Sequence, residues 1–94
     1  MVKQLFCRTR TINLKPVMEE LEADLKFSLV FNSSSNDFDW VIEEDEHDFD
    51  IICGKVRTLW DLGFINESEF RAIRSYFYKM VEDAIEDVKK LKAK

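Results

Sequence analysis

The amino-acid sequence predicts an α+β fold, in which an N-terminal helix and a short antiparallel sheet precede a C-terminal antiparallel helical hairpin. Three observations predict this fold. Apolar residues recur at helical spacing before residue 26 and after residue 49, whereas they alternate with their neighbours between residues 26 and 42. Only two Gly and one Pro interrupt the 94 residues, so the regular elements should be long.

The N-terminal third of the chain predicts an edge strand and then a helix. Residues 2–11 are short and mixed in character, which favours a strand at the edge of the sheet. Asn13 is a suitable N-cap for the helix, and Pro16 lies in the first turn, where proline is tolerated. The apolar face of this helix consists of residues at helical spacing, namely Leu14, Val17, Met18, Leu21 and Leu25.

The predicted sheet contains two or three strands, including a hairpin at about residues 26–42. Phe27, Leu29 and Phe31 alternate with their neighbours, as the side chains of a strand do. Residues 32–37 are a polar cluster typical of turns. A second alternating run follows with Phe38, Trp40 and Ile42, so the two runs are expected to pair with one aromatic face.

The C-terminal half predicts two antiparallel helices joined by a tight corner. The first carries an apolar stripe from Phe49 to Trp60, and Gly63 suits the left-handed residue that follows a helix end. Asn66 and Glu69 have the spacing of a capping box for the second helix. The second helix extends from about Phe70 to Leu91, with apolar residues at every third or fourth position.

The alternative fold is an all-α bundle, in which residues 26–42 are helical or irregular. In either fold residues 1–94 form a single domain, because a chain of this length has no room for a second core. The apolar content of 46% and aromatic content of 13% are sufficient for one core.

Charge and cysteine content limit the classes of function. A net charge of −5 disfavours direct binding to nucleic acid, because phosphate recognition requires clustered positive charge. Only Cys7 and Cys53 occur, and no stretch has the apolar length of a signal peptide or a membrane span. We therefore expect a soluble cytoplasmic protein that makes no contact with a membrane.

Catalytic and metal-binding patterns are missing from the sequence. His47 is the only histidine, which excludes sites built from several histidine ligands. Two glycines, Gly54 and Gly63, are too few for a phosphate-binding loop. We therefore predict that the protein is not an enzyme and that it holds no metal or cofactor.

The most distinctive feature is the acid run, which we define as residues 37–50. Eight of its fourteen residues are carboxylates, and these are the predicted partner-binding residues: Asp37, Asp39, Glu43, Glu44, Asp45, Glu46, Asp48 and Asp50. One interpretation is a solvated connection whose charge favours the N-terminus of the next helix. The other is a negative surface that docks on a basic groove of another protein.

The second interpretation predicts a non-enzymatic, small acidic inhibitor that binds stoichiometrically to a nucleic-acid-binding protein. Small size, acidity, few glycines and missing catalytic residues are typical of inhibitors from phages and mobile elements, including those that imitate nucleic acid. The alternative function is a dimeric adaptor or regulatory subunit that associates through Phe70–Leu91. A third hypothesis is an enzyme that uses His47, Asp48 and Asp50. The sequence is compatible with a monomer or a homodimer.

Overall fold

The computed structural model describes residues 13–94, and this part of the chain forms three α-helices and no strand. Helix α1 is Leu14–Ser33, α2 is Phe38–Asp61 and α3 is Glu67–Lys92. The three pack as an antiparallel bundle, and α2 contacts both of its neighbours. The predicted strand at residues 2–11 and the thiol of Cys7 lie outside the described residues.

The α+β prediction is wrong, and the alternative all-α bundle is confirmed over the described residues. The segment predicted as a hairpin, residues 26–42, forms the end of α1, a short turn and the start of α2. The alternation of apolar residues wrongly indicated a strand, because Phe27 and Phe31 are apolar but exposed, at 73% and 63%. The buried residues of α1 are Leu21, Leu25 and Asn32, which recur at helical intervals.

Helix α2 begins at Phe38, eleven residues before the predicted start at Phe49. Its buried positions are spaced by three or four residues throughout, and they are Val41, Asp45, Phe49, Ile52 and Val56. Asp45 therefore occupies a position where the helical pattern calls for an apolar residue. This one carboxylate interrupts the apolar pattern, which is why the sequence predicts the start of the helix at Phe49 rather than at Phe38.

The local signals at the helix ends are confirmed. The Asn13 side chain accepts a hydrogen bond from the Lys15 backbone N–H at 3.1 Å. Asn66 and Glu69 form the reciprocal capping box, with distances of 2.8 and 2.9 Å. Helix α2 ends in a Schellman motif at Gly63, whose φ of 83° suits glycine.

The core lies along the inner faces of the three helices and closes at the corner between α2 and α3. Phe77 is fully buried at its centre, and Ile65 is buried in the corner. The other buried members of the cluster are Leu21, Leu25, Phe49, Ile52, Val56 and Val81. The apolar stripe of α3 is thus covered by the chain itself, and the predicted helical hairpin is present as α2 and α3.

Candidate functional site

The acid run lies almost entirely on α2, so its carboxylates are distributed around the helix. Successive residues of an α-helix are about 100° apart, and side chains three or four positions apart share a face. Four exposed carboxylates therefore form a row, the outer stripe, which consists of Asp39, Glu43, Glu46 and Asp50. The other four carboxylates of the run lie off this row.

Two residues at the start of α2 have local structural partners. Asp37 is the N-cap, and its side chain accepts a hydrogen bond from the Trp40 backbone N–H at 3.1 Å. Asp39 lies in the first turn, where a negative charge complements the helix dipole. It also forms an ion pair with Lys92 near the end of α3.

Asp45 faces the interior and is only 1% exposed. The Nδ2 atom of Asn32, which is also buried, donates to Asp45 Oδ1 at 3.1 Å and to Asp48 Oδ2 at 2.8 Å. One amide group thus joins two carboxylates of α2 to α1. Asp45 cannot meet a partner while the bundle is folded, and half-buried Asp48 is turned towards α1.

Burial raises the pKa of the Asp45 carboxyl, because the charged form loses its contact with water. The hydrogen bond from Asn32 opposes this shift, while the charges of Asp48 and Glu44 add to it. Among the described residues, Asn32 is the only side chain that donates a hydrogen bond to Asp45. The pair is therefore a polar contact inside an otherwise apolar interface between α1 and α2.

An open groove of about 450 Å³, which we call the acidic groove, lies between α2 and α3 beside the outer stripe. Its floor is apolar and consists of Ile42, Phe49, Val81 and Ile85. The Tyr78 ring stands edge-on against the Phe49 ring, with 5.4 Å between the ring centroids. The charged residues that line the groove are Glu46, Asp50, Glu82, Glu86 and Lys89.

The four carboxylates of the acidic groove outnumber its single cation. Within residues 13–94, Glu82 is 4.0 Å from Lys79, and Glu46, Asp50 and Glu86 form no ion pair. Glu82 and Glu86 were not among the predicted site residues, because they are distant from the acid run in sequence. The feature of the sequence that could have indicated them is their position beside Val81 and Ile85, at the edge of the apolar stripe of α3.

The three residues of the enzyme hypothesis have different surroundings. His47 is exposed, Asp48 is bonded to α1 through Asn32, and Asp50 lines the acidic groove. Cys53 is half-buried, and burial raises the pKa of its thiol, which disfavours the reactive thiolate. Within residues 13–94, no cluster of three or more His, Cys, Asp or Glu side chains is arranged to hold a metal ion.

Exposed apolar side chains form a second surface feature, on α1. Phe27, Val30 and Phe31 lie at helical spacing and are 73%, 70% and 63% exposed. None of the helices in the described part of the chain combines the length and apolar character needed to cross a membrane.

Comparison with known proteins gives no relative: no family model, no curated protein and no solved structure matches this chain.

Proposed function

We propose that the protein is a small, acidic, non-enzymatic inhibitor of the phage or mobile-element type. It binds stoichiometrically to a basic, nucleic-acid-binding groove of another protein in the cytoplasm. The observation that carries the proposal is the outer stripe, where one helix presents four exposed carboxylates in a row. Of these four, only Asp39 forms an ion pair within the described residues.

The spacing of these charges supports imitation of a nucleic-acid strand. Asp39 and Asp50 are eleven positions apart, which is about 16 Å along a helix. The stripe thus carries roughly one negative charge per 5 Å, compared with about 3.4 Å along one DNA strand. Glu82 and Glu86 on α3 raise the local density further. A surface that attracts phosphates would also attract this face.

The proposal predicts that the outer stripe is required for partner capture. The variant E43Q/E46Q/D50N removes three charges from that stripe, and none of these side chains makes an ion pair in the described part of the chain. We expect it to fold normally and to lose the partner that the unaltered protein captures from a host lysate. Wild-type capture should fall steeply with salt, because exposed charges are screened over about 8 Å at physiological ionic strength.

The matched control is E19Q/E20Q/D24N, which neutralises two Glu and one Asp on the exposed face of α1. This variant has the same net charge as the test variant and should capture the partner as the wild type does. Duplex DNA should release the partner from the wild type if the docking surface is a nucleic-acid groove. Equal capture by both variants would contradict the proposal, since the outer stripe would then serve only solvation.

A dimeric adaptor is the second candidate function, and the exposed apolar residues of α1 favour it. The apolar stripe of α3, where this association was predicted, is packed inside the chain at Phe77, Val81 and Val88. Phe27, Val30 and Phe31 remain available for self-association. A dimer should appear by light scattering at high micromolar concentration and dissociate in F27S/F31S, and a monomeric wild type would contradict this function.

A further inference from the structure

The acidic groove lies on the face of the α2–α3 pair that α1 leaves open. On α3, the Tyr76 hydroxyl donates to the Glu22 carboxylate of α1, whereas Tyr78 lies in the groove against Phe49. On α2, Asp45 is bonded to Asn32 of α1, and Glu46, about 100° further round the helix, lines the groove. The groove therefore corresponds to the position that a fourth helix would take in an antiparallel bundle.

The floor and the rim of the acidic groove differ in chemistry. Phe49 and Val81 are buried core residues whose outer edges form the floor, and Ile42 and Ile85 extend it. Carboxylates stand on both walls, with Glu46 and Asp50 on α2 and Glu82 and Glu86 on α3. Among the described residues, Lys89 is the one cation that lines the groove. The Arg74 guanidinium, which does not line the groove, is 5.6 Å from the centroid of the Phe49 ring. An apolar strip between two negative walls is complementary to an apolar strip between two positive edges.

We infer that the acidic groove binds a basic amphipathic α-helix of the partner protein. This inference rests on the proposed function: the outer stripe meets the basic groove of the partner, and the acidic groove beside it meets a helix that borders that basic groove. The groove extends from Tyr78 to Lys89 on α3, which is about 16 Å or three helical turns. A helix with apolar residues at positions i, i+3, i+4 and i+7 would cover the floor, and flanking Lys or Arg would meet both walls.

Nucleic acid is excluded as the occupant by the charge of the walls, because phosphates would be repelled by four carboxylates. A purely polar basic loop would pair with the carboxylates of the walls but would leave the apolar floor exposed to water. The amphipathic helix is the occupant that uses both surfaces, and burial of the floor adds to the charge attraction.

The test uses the full chain and two synthetic peptides of about fourteen residues. The first places Leu at i, i+3, i+4 and i+7 between Lys residues, and the second replaces every Leu with Ser and keeps the charge. Calorimetry should show binding of the Leu peptide at least about tenfold tighter than that of the Ser peptide. Backbone amide shifts in an NMR titration should be largest at residues 42–50 and 78–89. Equal affinities would overturn the inference, because binding would then be unspecific charge attraction.

A pair of charge variants tests the walls of the groove independently of the outer stripe. E82Q/E86Q removes both α3 carboxylates, and E19Q/E20Q makes the same two changes on the exposed face of α1. We expect about a tenfold loss of affinity for the Leu peptide in the first variant and unchanged affinity in the second. Equal affinity in the two variants would overturn the inference.

Partner capture distinguishes a failure of this inference from a failure of the proposed function. Capture that depends on Glu43, Glu46 and Asp50 but is unaffected by E82Q/E86Q would leave the inhibitor proposal standing and overturn the groove. Capture that is unaffected by either set of substitutions would overturn both the inhibitor proposal and the groove inference. The basic segment of residues 1–12 is a competing occupant, with Lys3, Arg8 and Arg10. Tighter binding of the Leu peptide by K3Q/R8Q/R10Q in the full chain, without a matching gain for the equally charged Ser peptide, would assign the groove to that segment and overturn the inference.

Discussion

Replacement of Phe77 with Ala should lower the free energy of unfolding by about 3–5 kcal/mol, the usual range for removing a buried aromatic side chain. Phe77 is 0% exposed, and it lies in the cluster that joins all three helices. A domain of this size has a total stability of roughly 5–14 kcal/mol, so the variant should approach the limit of folding. Urea denaturation followed by circular dichroism at 222 nm measures the loss.

Phe27→Ala is the matched control, because it makes the same chemical change at a position that is 73% exposed. We expect a change within about 0.5 kcal/mol there. The pair also tests the fold itself. In the α+β fold, Phe27 would lie on the aromatic face of the hairpin, and its loss would be costly. Comparable losses in the two variants would contradict the all-α packing described above.

Replacement of Asn32 with Ala should lower the free energy of unfolding by about 2–4 kcal/mol at pH 7. The change removes the donor to two carboxylates, one of which is buried and has no other side-chain donor among the described residues. Leaving a charged group buried without its partner is costly, since hydrogen bonds to charged groups contribute about 1.5–3 kcal/mol each. Asn36→Ala, at an exposed position in the connection that follows α1, is the control.

The loss in Asn32→Ala should also depend on pH. The folded pKa of Asp45 is raised above its usual 3.8, and Asn32 opposes that shift, so the variant should raise it further. A carboxyl whose pKa is raised in the folded state binds its proton more tightly there than in the unfolded state. The free energy of unfolding therefore increases as the pH falls through the folded pKa. The destabilisation should therefore be smaller at pH 5 than at pH 7. A constant loss across this range would contradict the assignment to Asp45.

The double variant N32L/D45L tests whether the stability of the bundle requires the hydrogen bonds of this buried pair or only a well-packed side chain at each position. Replacement of both partners with apolar residues removes the buried charge together with its donor. We expect its stability at pH 7 to lie within about 1 kcal/mol of the wild type. A double variant as unstable as N32A would show that the site needs the shape of the polar pair rather than its hydrogen bonds.

Local chemistry in the sequence predicted three of the six helix ends in the described residues, because caps depend on residues a few positions apart. Asn13, Gly63 and the Asn66–Glu69 pair are such cases. The secondary structure of residues 26–42 could not be predicted from such local signals. Exposed phenylalanines imitated the alternation of a strand, and Asp45 interrupted the helical pattern of α2. Both features depend on tertiary contacts, since the core accepts Asp45 only because α1 supplies Asn32.

The candidate site was predictable in composition and not in geometry. The density of carboxylates between Asp37 and Asp50 is visible in the sequence. Their distribution around a helix is not visible there, because it depends on this segment being helical, and residues 26–42 were predicted as a hairpin. Glu82 and Glu86 join Glu46 and Asp50 only through the packing of α3 on α2. The apolar floor likewise exists only where the two helices meet.

The connections between the helices are short, at residues 34–37 and 62–66, and α2 lies between its two neighbours in sequence. Most of the core therefore forms between segments that are joined by a single turn. Little chain entropy is lost in closing such loops, and topologies dominated by near-sequence contacts fold in microseconds to milliseconds. A newly made chain would reach its native form far faster than the ribosome adds the next residue, at roughly 5–20 residues per second. The time from translation to a binding-competent surface would then be set by synthesis rather than by folding.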